Sequence, residues 1–126
     1  IKKKVLLIAG GIGITPLRSL TEQLAGHTNL TLIYSAKTRA EAVLLDELKI
    51  IQSQQDFKLI EIYDQEQVPG AEFGRLDKAR LENLVPNAKE YDVFLCGPPT
   101  MMAALKIALT QLGLPKKQLH WERFAL

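Results

Sequence analysis

Two stretches of this sequence have the residue types and spacing to do chemistry, and the chemistry they suggest is the binding of an anion. The first is Val5-Leu-Leu-Ile-Ala-Gly-Gly-Ile-Gly-Ile-Thr-Pro-Leu17. An apolar run suited to one buried strand gives way to Gly10, Gly11 and Gly13, and Thr15-Pro16 is then expected to open a helix. Thr is a good N-cap, and Pro suits the first helical position because its missing N–H would have no partner there. A strand, a glycine-rich turn and a helix N-terminus leave free N–H groups and the positive end of a helix dipole facing a phosphate. The second stretch, Leu95-Cys-Gly-Pro-Pro-Thr-Met-Met102, repeats the strand-to-helix turn near the far end of the chain.

Neither of the two familiar phosphate loops fits the first stretch. No Gly-Lys-Ser/Thr follows it, so it is not a P-loop. Gly11-x-Gly13 is present, but Pro16 stands where a dinucleotide fingerprint has its third glycine. The second strand runs into Ser35-Ala-Lys-Thr-Arg39, with no acid to hold a ribose.

The elements that must position these turns alternate. After a first strand, Pro16 to Leu24 reads as a helix with Leu17, Leu20 and Leu24 on one face. Asn29–Ser35 is the second strand. Thr38-Arg-Ala-Glu41 is a capping box, expected to open a helix whose Leu44, Leu45, Leu48 and Ile51 point inward. Phe57–Tyr63 alternates and reads as a third strand at an edge. A turn-rich stretch from Asp64 to Gly74 leads to a short helix from Asp77 to Leu84. Tyr91–Cys96 is the fourth strand, a helix runs from Met101 to Leu112, and Gln118–Phe124 is the last strand. The fold class is therefore α/β: three layers, doubly wound, with a mainly five-stranded parallel sheet and helices on both faces. Ligands of such folds bind at the carboxyl ends of strands, at the switch in strand order. If the first and fourth strands are neighbours there, both glycine turns face one crevice.

Composition narrows the classes. With 126 residues, 47% of them apolar, the chain has material for one core. A formal net charge of +2 is too small and too scattered for nucleic acid, and Lys2-Lys3-Lys4 reads as a solvated edge. The single Cys96 excludes an intrachain disulfide and any cysteine metal cluster, and fits a reducing compartment. No metal site is expected. The apolar runs are strand-sized, too short to span a membrane. The chain opens on Ile1 rather than Met, so residues 1–126 are expected to be a piece of a longer protein.

Ala9-Gly-Gly-Ile-Gly-Ile-Thr-Pro16 together with Leu95-Cys-Gly-Pro-Pro-Thr-Met-Met102 resembles the NAD(P)-binding domain of the ferredoxin–NADP reductase superfamily, over essentially the whole chain. Within it, Tyr34-Ser-Ala-Lys-Thr-Arg39 and the ending His120-Trp-Glu-Arg-Phe-Ala-Leu126 look most like transmembrane ferric reductases and NADPH oxidases, including their bacterial relatives. The resemblance implies that this is the C-terminal part of a flavin-dependent reductase. The FAD-binding barrel and any membrane domain would lie elsewhere, because the family's Arg-x-Tyr-Ser/Thr flavin motif is absent here.

Residue by residue, the resemblance implies that Gly10, Gly11 and Gly13 admit the pyrophosphate, with Thr15 adding a hydroxyl and Pro16 structural. Cys96, Gly97 and Pro98 would sit beside the nicotinamide. One of Met101 and Met102, with Met101 preferred, would line the site. Ser35, Lys37 and Arg39 would meet the adenosine ribose. A 2′-phosphate carries about two negative charges, so cations there favour NADPH, with NADH use left open. Phe124 would stack on the flavin where nicotinamide enters, and Glu122 would hydrogen-bond near it. Arg75 is read as a surface residue, and His27 and His120 as structural.

The implied function is that of an enzyme module. It binds NAD(P)H and presents it for hydride transfer to FAD on a separate domain of the same chain. Electrons would then pass through haems of a membrane domain, at its cytoplasmic face, to oxygen or ferric iron. The module itself would be soluble and inactive alone. The alternative is the nucleotide-binding module of a soluble flavin reductase that passes electrons to an iron–sulfur partner. A signalling receiver domain is disfavoured, because receivers need acids after the first strand and glycines stand there.

Overall fold

The computed structural model describes residues 3–121. Six parallel strands form one sheet: β1 (Lys4–Gly10), β2 (Asn29–Ala36), β3 (Lys58–Tyr63), β4 (Glu72–Phe73), β5 (Asp92–Cys96) and β6 (Leu119–Trp121), in the order β4-β3-β2-β1-β5-β6. The helices are α1 (Ile14–Leu24), α2 (Leu45–Gln54), α3 (Lys78–Leu84) and α4 (Pro99–Gln111). Strand order reverses at β1, which has β2 on one side and β5 on the other. The sheet thus has one strand more than the five expected. The extra one, β4, has two residues and pairs only with Ile62 and Tyr63, too short to carry a periodic signal.

Strand alternation divides the core. Val5, Leu7 and Ala9 of β1 pack with Leu17 of α1 and Leu45 and Leu48 of α2. Leu6 and Ile8 face the other way, onto Leu81 of α3 and Met102 and Leu105 of α4. The order of strands then has a geometric result: α1 and α2 cover the β1–β3 half of one face, while toward β5 and β6 only α1 flanks the sheet and a groove is left open.

Three element starts differ from expectation. Residues Gly11–Gly13 form a 3-10 turn that runs directly into α1, so the helix begins at Ile14 and Gly13 occupies the N-cap. Thr15 is the second helical residue and caps nothing with its side chain. Pro16 is the third, still within the first helical turn, where proline is tolerated. Helix α4 begins two residues early, with Pro98 as N-cap and Pro99 in the first position. The capping box at Thr38 opens only a 3-10 turn, Arg39–Glu41. Leu44 is left-handed (φ 63°), which stops that turn from continuing into α2. Such a conformation costs a non-glycine residue roughly 1–2 kcal/mol. Packing of Leu44 against the α1–α2 core offsets it.

Tyr34 secures the same segment. Its side chain is fully buried, burial pushes the phenol up to about 12, and the hydroxyl donates to the Val43 carbonyl at 2.7 Å. Tyr34→Phe removes that donor and leaves the carbonyl short of a partner. Stability should fall by about 1–2 kcal/mol, read from the urea midpoint at an unchanged m-value.

Candidate functional site

Strands β1 and β5 lie side by side, with Ala9 opposite Cys96, so the two turns that leave them meet. A Cβ on Gly97 would lie 3.3 Å from Gly10 Cα and 3.0 Å from Met101 Sδ. A Cβ on Gly10 would run into Met101 Sδ, and one on Gly13 would overlap the Cys96 carbonyl oxygen. Those three glycines are therefore needed for close approach. Gly11 differs: its φ is +54°, and no atom stands within 4 Å of where its Cβ would be. Its backbone faces open space, as a cradle for a ligand must.

Next to this junction is a cleft of about 240 Å³. Gly10 and Gly11 form one part of it, Pro98 and Met101 another, and Ser35, Ala36 and Lys37 at the end of β2 a third. Met101 thus lines the cleft, whereas Met102 is 7% exposed within the α3–α4 core. Of the expected residues, Gly10, Gly11, Ser35, Lys37, Pro98 and Met101 are brought together. Cys96 is 4% exposed at the end of β5, behind the junction, with Gly97 beside it. Thr15 is exposed, and Pro16 borders a different hollow. Arg39 is separated from Lys37: it borders a hollow in front of α2 with Leu44, Asp46 and Glu47. Arg75 is exposed and lies outside the cleft. Phe124 and Glu122 lie outside the described residues.

Two lining residues escape sequence reasoning. Glu41 and Asp64 both border the cleft, opposite in charge to Lys37. Asp64 follows β3, and the β3–β2–β1 order carries it to the end of the cleft that β2 alone was expected to supply. The only signal available beforehand was its place directly after a strand.

The larger hollow, about 620 Å³, holds none of the turn glycines. It is a groove between α1 and the β5–β6 end of the sheet: Pro16, Leu17 and Leu20 of α1 on one side, Phe94, His120 and Trp121 on the other. His120 stacks on Phe94 with ring centroids 4.6 Å apart, and its Nε2 is 3.7 Å from Asp92. Among the described residues no group of three His, Cys, Asp or Glu side chains could hold a metal ion, and no helix is long and apolar enough to cross a membrane.

Residues 7–106 match the family described as the oxidoreductase NAD-binding domain. The chain belongs to this family. It is the NAD-binding domain of the ferredoxin–NADP reductase superfamily, in the parallel α/β form described above.

This NAD-binding domain is 36% identical to a glycine betaine monooxygenase reductase subunit of Chromohalobacter salexigens, over 96% of its own length and 35% of that protein. It is 34% identical to one of the subunits of the 1,2-phenylacetyl-CoA epoxidase of Escherichia coli, over 96% of the chain and 37% of the relative. Among solved structures, the flavohem-like FAD/NAD-binding domain of nitric oxide dioxygenase from Vibrio cholerae superposes with a TM-score of 0.88 at 26% identity, over 98% of this chain and 52% of that one. The chain spans about a third of the curated relatives it matches. These relatives are a monooxygenase reductase subunit, an epoxidase subunit and flavohemoproteins, and the narrower resemblance to ferric reductases and NADPH oxidases finds no counterpart in them.

Proposed function

We propose that this domain is the nucleotide half of a flavin reductase that passes electrons to a separate acceptor protein of the iron–sulfur type, rather than into a membrane haem chain. The observation that carries the reading is the meeting of the β1 and β5 turns over an open glycine backbone, in a chain 36% identical to a monooxygenase reductase subunit. The residues fit a pyridine dinucleotide. Gly10 and Gly11 admit the pyrophosphate, and the α1 N-terminus adds a favourable dipole. Pro98 and Met101 bound the opposite side, toward the nicotinamide, with Cys96 and Gly97 behind them. The bound nicotinamide supplies the hydride. The chain's own residues hold and orient it, which is where proximity gives its rate advantage. Phe124 and Glu122 are kept as candidates for the flavin-facing edge.

The ribose end bears Lys37 against Glu41 and Asp64, a side-chain sum of −1. A 2′-phosphate carries about −1.5 to −2 at neutral pH. The cleft therefore favours NADH, with NADPH as the weaker ligand, against the preference that Lys37 and Arg39 suggest by themselves. The uncovered groove beside β5 and β6 is where we seat the flavin-binding domain. A second reading, the corresponding part of a flavohemoprotein, draws on the TM-score of 0.88 to the Vibrio cholerae domain.

Titration of the 126-residue chain with NADH, followed by nucleotide fluorescence, should give saturable binding. The chain should show no NADH oxidation until a flavin-binding domain is added. Sustained turnover by the chain alone would refute the division of labour.

A further inference from the structure

Beyond the cleft itself, the loops after β2 and β3 are fastened to each other. The Asp64 N–H donates to the Ala36 carbonyl at 3.3 Å, and the Gln65 N–H to the Lys37 carbonyl at 2.9 Å. One side chain completes the fastening: Glu66 Oε1 accepts the Arg39 N–H at 2.8 Å, from 27 residues away. That N–H is the first donor of the Arg39–Glu41 turn, and Thr38 just before it makes no side-chain cap. The Thr38 hydroxyl is turned instead toward Glu41 Oε2, at 3.4 Å. A carboxylate on a backbone N–H is a charge-assisted bond, stronger than one between neutral groups.

Spacing gives this contact its meaning. Lys37 lies two residues before Arg39, and Asp64 two residues before Glu66, and both Lys37 and Asp64 border the cleft while Glu66 does not. Neither the Lys37 ammonium nor the Asp64 carboxylate has a hydrogen bond or ion pair among the described residues, so their separation is set by the backbone that carries them. We infer that Glu66 is a positioning residue for nucleotide selectivity: by holding the Arg39 N–H it fixes Lys37 against Asp64 and so sets how the cleft tells a ribose 2′-hydroxyl from a 2′-phosphate. The inference rests on the reading of the cleft as a dinucleotide site. Selectivity there is a difference between attraction by one group and repulsion by two others, and each decays with distance. A loosened loop averages that difference away.

The test is the ratio of NADPH to NADH dissociation constants for the unmodified chain, Glu66→Ala and Glu66→Gln, at one ionic strength. Glu66→Ala should bring the ratio about fivefold closer to one, the size expected for losing a charged hydrogen bond at a partly solvated site. Its unfolding midpoint should stay near that of the unmodified chain, because Glu66 is exposed. Glu66→Gln keeps an oxygen that can accept the Arg39 N–H and should restore the ratio. An unchanged ratio in Glu66→Ala would overturn the inference. So would a Gln variant that behaves like the Ala variant, because Glu66 would then act by charge alone. If the unmodified chain bound neither nucleotide, the dinucleotide reading would fall, and the inference with it.

Discussion

Gly13→Ala should destabilise the chain by about 3 kcal/mol and abolish nucleotide binding, whereas Gly10→Ala should cost about 1 kcal/mol and leave weakened binding. Neither position has a strained backbone: φ is −61° at Gly13 and −122° at Gly10, so the whole effect is steric. What differs is the obstacle. The alanine methyl at 13 would overlap the Cys96 carbonyl oxygen and stand 2.5 Å from its carbon and 2.8 Å from Gly97 N, which is strand-end backbone that cannot swing away. At position 10 it meets the Sδ and Cε atoms of Met101, the end of a side chain with several soft torsions, and Pro98 Cδ at 3.3 Å. Only the first substitution must push the start of α1 away from the end of β5. Urea unfolding separates the two costs, and NADH titration reads the site. Adding Met101→Ala should recover most of the loss in Gly10→Ala and none in Gly13→Ala. Equal costs at the two positions would mean that the turns do not meet as described.

The second large effect concerns charge at the Lys37–Asp64 end of the cleft. Asp64→Asn should raise NADPH affinity relative to NADH by about tenfold, and Lys37→Glu should shift the ratio about as far the other way. Both groups are exposed, so each shift should shrink as salt is raised from low to physiological ionic strength. Arg39→Glu should do much less, because Arg39 faces the hollow in front of α2 rather than the cleft. Isothermal titration with both nucleotides against each variant decides it. An Arg39 effect as large as that of Lys37 would put its guanidinium in the site after all.

The path from sequence to site is readable wherever a local pattern carries the information. Apolar runs mark every long strand, and two glycine turns placed after the first and fourth strands anticipate one shared crevice, seen in the structure as contact between Gly10 and Gly97. Local patterns do not encode lateral order in a sheet. Asp64 and Glu66 stand after β3, and only the adjacency of β3 to β2 brings them to the cleft and its loop. The start of α2 is hidden for another reason: Leu44 takes a left-handed conformation that its residue type does not advertise, and Tyr34 from a different element braces that segment. Thr-Pro is a common helix opening, which points to Thr15 as the cap. The 3-10 turn at Gly11–Gly13 moves that opening back by two residues.

The fastening between the β2 and β3 loops has a consequence for anyone who would transplant specificity. Exchanging the segment 36–41 alone for that of a relative would carry in new ribose contacts and leave behind the carboxylate that anchors them. If the cleft and Glu66 act as proposed, the graft should succeed only when 64–66 travels with it, and the unit of nucleotide choice would be a pair of segments remote in the chain, exchangeable together and faulty apart.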